Sequence, residues 1–152
     1  MITDFLNANT IQYSKKFVGD WQKAIAFSAK PLVSQGQIDK SYINRMVDLI
    51  KDKGPYINIG PHIAMAHARP GKDVHAIGLS LLVTKNPINL VDAGHPVNLW
   101  FSLAATDNKS HLSLIQQLME LLTDNQVVKK MLISSNKKEL VSIINQKFKP
   151  KV

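Results

Sequence analysis

A three-layer α/β/α sandwich, with helices on both faces of a central mixed β-sheet, is the fold class that the sequence predicts, and three observations carry it. Apolar residues follow a helical period early in the chain, shift to short runs broken by Gly and Pro in the middle, and return to a helical period after Ala105. The run Leu79-Ser80-Leu81-Leu82-Val83 is almost continuously apolar, which suits a strand buried on both faces and therefore covered by helices on both. At 152 residues, with 45% hydrophobic and 20% charged types, the chain has the size and balance of a single domain, 1–152, that can bury a core.

Taken in order, a short opening segment around residues 4–8 leads to Ile11-Gln12-Tyr13, read as an edge strand. Asp20 is placed to cap a helix carrying Trp21, Ala24, Ile25 and Ser28. Pro31 removes a backbone donor, so that helix is expected to bend or restart there before Gly36 ends it. Ile43, Met46, Val47 and Ile50 fall at i, i+3, i+4 and i+7, an amphipathic helix closed by Gly54-Pro55. Four strands are then expected, over 56–59, 63–66, 77–84 and 97–105, separated by Gly60-Pro61, Arg69-Pro70-Gly71 and Ala93-Gly94-His95-Pro96. Beyond them Leu112, Ile115, Leu118, Met119 and Leu122 form one helical stripe, with Asp107 or Ser110 as its cap. Two further helices are predicted, over 126–133 and from Asn136 onward. In the last, Asn136 and Glu139 stand at capping-box spacing, and Leu140, Ile143, Ile144 and Phe148 supply the buried side.

No apolar run approaches the roughly 20 residues needed to cross a bilayer, and the polar 1–9 segment lacks the layout of a signal peptide, so a cytosolic protein without membrane insertion is expected. The absence of cysteine excludes disulfides, thiol nucleophiles and thiolate metal sites. The formal charge is +8, and residues 129–152 hold most of it: seven lysines against the single Glu139, a local +6. Phe148 is the only aromatic residue in that segment, so it reads as a solvated helix face with a frayed tail rather than a nucleic-acid docking surface.

Chemistry then rests on the five histidines. His95 and His75 lie in or beside turns, where exposed polar residues are ordinary. His62 and His67 are an odd number of positions apart and would face opposite sides of one strand, so no metal site is expected from them. His67 closes an apolar run at the rim of the sheet, where strand-to-loop junctions often carry function. Arg69, two positions on, shares its face if the chain stays extended, and its planar fork suits a phosphate or carboxylate. His111 falls in the first turn of the Leu-rich helix, near the positive end of its dipole. Period and composition leave open whether His67 and His111 meet or are a sheet-edge histidine and an unrelated helix-surface one.

The segment Gly60-Pro61-His62-Ile63-Ala64-Met65-Ala66-His67-Ala68-Arg69-Pro70 resembles the active-histidine motif of enzyme IIA of the sugar phosphotransferase system (PTS), fructose/mannitol superfamily, and most of all its ascorbate-type branch. The similarity extends to Gly54-Pro55-Tyr56, Gly78-Leu79-Ser80-Leu81, Asn86-Pro87-Ile88 and the stretch from Asn98 to Ala105 leading to His111. The resemblance implies that His67 is the phosphorylated nucleophile, that His111 stabilises the phosphoryl group, and that Arg69 assists. It implies the phosphocarrier HPr as donor, a cysteine on a IIB component as acceptor, and a membrane IIC component beyond. The alternative is a regulatory module of the same fold whose phosphorylation state controls a partner. No cofactor is implied: Gly60 and Gly71 are isolated, and a relay fed by a phosphoprotein needs neither a nucleotide site nor Mg²⁺. A homodimer is compatible with the same reading. Two residues depart from the pattern. Ala66 stands where proline is usual, which should relax the backbone before His67, and His62 stands where glycine is usual, in a turn that can require unusual dihedrals.

Overall fold

In the computed structural model, which describes residues 1–150, the described residues form a five-stranded mixed sheet in the order β1-β4-β5-β3-β2. β1 (Ile11–Ser14) is an edge strand parallel to β4 (Gly78–Asn89), which pairs antiparallel with β5 (Pro96–Ala104). β5 runs parallel to β3 (His62–Ala66), and β2 (Asn58–Gly60) closes the other edge antiparallel to β3. Alternation along the central strands divides the interior in two. Leu79, Leu81 and Val83 with Leu99, Phe101 and Leu103 face one core, while Leu82, Trp100 and Ala104 face the other. Helices α1 (Trp21–Ser34) and α2 (Lys40–Lys53) cover the second face; α3 (Leu112–Leu122), α4 (Asn125–Ile133) and α5 (Lys137–Lys147) cover the first. The predicted sandwich is therefore the observed one.

Small residues bring α1 close to the sheet, and Ser28 fastens it there. Its hydroxyl donates to the Trp100 carbonyl at 2.8 Å, and its own carbonyl accepts from the Ser80 hydroxyl at 2.7 Å. Asp20 caps this helix by accepting from the Lys23 N–H. Pro31 does not interrupt it. The carbonyl that loses its i+4 donor is that of Phe27, and the Gln12 side-chain amide on β1 donates to it at 2.7 Å.

Several boundaries differ from those predicted, each for a physical reason. The 1–9 segment is less polar in effect than in composition: Ile2 and Leu6 are fully buried, and the Ile2 N–H donates to Gln117 on α3. α2 buries Tyr42, Met46 and Ile50, while Ile43 and Val47 flank that line. In α3 the buried stripe is Leu114, Leu118 and Leu121, and Leu112 is 58% exposed. A helix this rich in leucine offers more than one apolar face, and packing selects between them. β4 continues through Pro87 to Asn89 across a register shift against β5. α5 has Asn136 as cap, but the backbone return contact of Glu139 goes to the Ser135 N–H at 2.9 Å rather than to the Asn136 N–H. Of the C-terminal lysines, Lys147 pairs with Asp124 at 2.9 Å and Lys129, Lys130, Lys137, Lys138 and Lys149 are exposed; Lys151 and Val152 lie outside the described residues. Among the described residues no helix is long and apolar enough to cross a membrane.

His62 does occupy a backbone conformation that favours glycine, with φ at +66°. Its Nδ1 lies 3.0 Å from the Asn98 side-chain oxygen. The Asn98 amide nitrogen donates to the Thr84 and Lys85 carbonyls, so its oxygen is the acceptor and Nδ1 carries the proton. The contact links the start of β3 to the β4–β5 register shift. His62→Ala keeps the strain and leaves the Asn98 oxygen unpaired, which should cost about 1–3 kcal/mol. His62→Gly relieves the strain and should cost less. Chemical denaturation of both variants checks this order, and equal losses would refute it.

Candidate active site

β3 is held between β2 and β5, with Ala66 paired opposite Ser102, and the strand ends there. His67 is thus the first residue beyond the strand rather than its last, and it is half-buried at the rim. Its Nδ1 lies 2.9 Å from the Met65 carbonyl oxygen. A carbonyl can only accept, so Nδ1 carries the proton and Nε2 keeps its lone pair. Tyr56 meets the imidazole edge-on, ring centroids 5.6 Å apart, and its hydroxyl donates to the His67 carbonyl at 3.3 Å. Burial pushes the Tyr56 phenol above its ordinary pKa, so it remains a donor.

The segment leaving His67 is fastened to α2 at two points. The Ala68 N–H donates to the Tyr42 hydroxyl at 3.0 Å, and that hydroxyl donates to the Leu103 carbonyl at 2.7 Å. Farther on, Asp73 accepts two bonds from the Arg45 guanidinium, at 2.9 and 2.6 Å, and one from the Ser41 hydroxyl. The guanidinium holds the Asp73 carboxyl below the usual range. Arg69 is exposed between these anchors. The chain is no longer in the sheet there, so the shared strand face that sequence spacing suggested does not apply.

The opposite wall is built by α3. His111 is its N-cap residue rather than part of its first turn. Neither expected cap, Asp107 or Ser110, holds that position: Asp107 accepts from the Lys109 and Ser110 N–H groups at 2.8 and 2.6 Å and closes the turn before the helix. Those bonds hold its carboxyl below the ordinary value, the Ser110 contact first. His111 Nδ1 is buried without a hydrogen-bond partner among the described residues, which leaves Nε2 as the ring nitrogen free to serve the cleft.

His67, Arg69 and His111 come together on one cleft of about 510 Å³. Sequence reasoning missed Tyr42, Tyr56, Lys53 and Asn108, of which the last three also line the cleft. Tyr56 directly follows the Gly54-Pro55 helix stop, and Lys53 ends α2, so element boundaries were the available signal. Met65, Leu103 and Ile115 supply apolar walls. Two cationic side chains, Lys53 and Arg69, and the His111 imidazole beside the His67 lone pair suit a compact oxyanion. The remaining histidines lie elsewhere: His75 sits 2.9 Å from Asp39, His95 sits 2.7 Å from Asp92, and His62 bonds Asn98.

Comparison with known proteins identifies the family. The family model described as phosphoenolpyruvate-dependent sugar phosphotransferase system, EIIA 2, matches residues 4–147. The mannitol-specific cryptic phosphotransferase enzyme IIA component of Escherichia coli strain K12 is 35% identical over 127 residues, covering 84% of this chain and 86% of that protein. The ascorbate-specific PTS system EIIA component of the same strain is 28% identical over 128 residues, 83% of each. A solution structure of the mannitol-specific cryptic enzyme IIA from Escherichia coli matches with a TM-score of 0.83 at 31% identity, over 95% of this chain and 98% of that one. The rim-mounted histidine, the sheet that carries it and a family match over almost the whole length lead to one conclusion: the chain belongs to the EIIA type 2 family of the phosphoenolpyruvate-dependent sugar phosphotransferase system.

Proposed function

We propose that residues 1–152 act as a single cytoplasmic phosphocarrier domain that accepts a phosphoryl group on His67 Nε2 from the phosphohistidine of HPr and passes it to a cysteine of a IIB component of a sugar PTS. The observation that carries this reading is the bond between His67 Nδ1 and the Met65 carbonyl, because it assigns the lone pair to Nε2.

In the first transfer the Nε2 lone pair forms the new P–N bond as the P–N bond to the donor imidazole breaks. The His67 ring then carries substituents on both nitrogens and gains positive charge, which the Met65 carbonyl stabilises through the proton still on Nδ1. In the second transfer a thiolate forms a P–S bond, the P–N bond breaks, and His67 leaves as a neutral imidazole with the same Nδ1 proton. No proton has to be removed from His67 in either direction, which suits a reversible relay. His111 can donate from Nε2 to a phosphoryl oxygen, since its Nδ1 is buried away from the cleft solvent. Lys53 and Arg69 add positive charge where the in-line transfer spreads negative charge over three oxygens.

Incubation with enzyme I, HPr and labelled phosphoenolpyruvate should give an acid-labile, base-stable label, and His67→Ala should abolish it. Undiminished labelling of that variant overturns the assignment. Nitrogen NMR of the phosphorylated protein should place the phosphorus on Nε2; coupling to Nδ1 refutes the tautomer argument.

His111→Ala should slow labelling by roughly a hundred- to a thousandfold without preventing it, the loss expected for one donor to a developing oxyanion. An unchanged rate removes His111 from the mechanism.

A further inference from the structure

Away from the His67 cleft, an open groove of about 760 Å³ runs along the outer side of α1, bounded by the loop that follows β1 and by the start of α2. It shares no lining residue with the His67 cleft, and Ser14 at its edge closes β1 on the sheet rim opposite the one that carries His67. Its floor is apolar, Phe17, Ala26, Phe27, Val33 and Ile43, with Val18 at its edge. Val18 is 88% exposed and Phe27 38%, so this surface is left open to water at a free-energy cost.

The rim is cationic. Lys16, Lys23, Lys30 and Lys40 line it, no acidic side chain does, and none of the four is ion-paired among the described residues. Residues 1–128 carry a net charge of only +2, so four unpaired lysines around one groove are a local concentration and not the chain average. The floor is also held by internal contacts. Phe17 and Phe27 meet edge to face with centroids 5.6 Å apart, and the Phe27 carbonyl freed by Pro31 is held by Gln12. Gly19 lets the loop close on α1: a Cβ there would stand 2.8 Å from the Lys23 side chain.

We propose that this groove docks a short, acidic, amphipathic helix of a partner protein. The lysines come from three segments, Lys16 from the loop after β1, Lys23 and Lys30 from α1 and Lys40 from the start of α2, so the charge is contributed from several sides of the groove. On α1, Lys23, Phe27 and Lys30 recur at i, i+4 and i+7, so the contact follows about two helical turns. A partner helix about 10 Å across can lie along the groove with its apolar stripe on the phenylalanines and its carboxylates on the lysines. A preformed floor reduces the ordering cost of association.

The probe is a fluorescein-labelled peptide of about fourteen residues, with Leu at i, i+3, i+4 and i+7 and Glu elsewhere, titrated against the full chain by fluorescence anisotropy. Saturable binding is expected, weakened about tenfold or more by Lys23→Glu with Lys30→Glu, by Val18→Asp, by raised salt, and by scrambling the Leu positions. Val18 is so exposed that the charge should leave packing intact, and labelling of His67 by HPr in each variant checks that the domain is folded. Equal binding by the variants, or by the scrambled peptide, overturns the proposal. Tighter binding to anionic phospholipid vesicles that Val18→Asp abolishes assigns the groove to a membrane surface and also overturns it. Loss of HPr labelling in a variant with unaltered circular dichroism would make the groove a donor-docking surface, against a separate partner. Labelling that fails in the unsubstituted chain refutes the phosphocarrier reading and leaves the peptide result independent.

Discussion

The Tyr42 hydroxyl is buried where α2, the segment leaving β3 and the end of β5 meet, and it bonds to both backbone segments at once. It accepts the Ala68 N–H at 3.0 Å and donates to the Leu103 carbonyl at 2.7 Å. Burial pushes its pKa up, so the phenol keeps the proton that the second bond needs. Ala68 is one residue beyond His67, and Leu103 lines the same cleft. This contact therefore fixes the direction in which the chain departs from the sheet immediately after the histidine, and with it the position of the loop that carries Arg69. The Arg45–Asp73 pair continues the attachment along α2, so one helix registers both ends of the segment. An imidazole on a free loop would have to be ordered at each encounter; here packing has already met that entropic cost.

The layers were legible because their signals are periodic and redundant. Each central strand repeats the same demand for burial on both faces, and Asp20 and Asn136 stand where the caps prove to be. The parts that eluded sequence reasoning depend on a single contact between distant positions. Nothing local marks Gln12 as the donor that keeps α1 continuous through Pro31, because the bond joins residues fifteen apart. The same holds for Tyr42, which reads as one more apolar residue on a helix until its hydroxyl is seen to reach the strand ends. His67 and His111 were recoverable from their settings at element ends, but their shared cleft is a tertiary fact.

Charge shows a related limit of reading along the chain. Summing over windows located the excess in residues 129–152, where most of the described lysines are exposed and Lys147 is neutralised by Asp124. The same sum made residues 1–128 look nearly neutral. Folding separates what the sum combined: Asp73, Asp107 and Asp124 turn to partners of their own, while Lys16, Lys23, Lys30 and Lys40 collect beside an apolar floor. Field strength at a surface depends on which charges remain uncompensated within a Debye length, and a net count is blind to that.

The two departures from the family pattern fit the same frame. Where proline is usual, Ala66 would be expected to loosen the backbone before the histidine. Yet Ala66 is paired into the sheet on its β5 side, opposite Ser102, and only 1% exposed. The ladder on one side and Tyr42 on the other restrict the chain without a pyrrolidine ring. Proline and a hydrogen-bonded strand are two ways to restrict the same backbone angles, and the strand also retains an N–H that proline lacks. At the other end of β3, His62 carries a side chain where glycine would be relaxed, and its bond to Asn98 offsets the strain while tying the strand start to β4. β3 is therefore fastened at both ends by side-chain contacts that its own sequence does not announce. The position of His67 follows from that fastening more than from the motif around it.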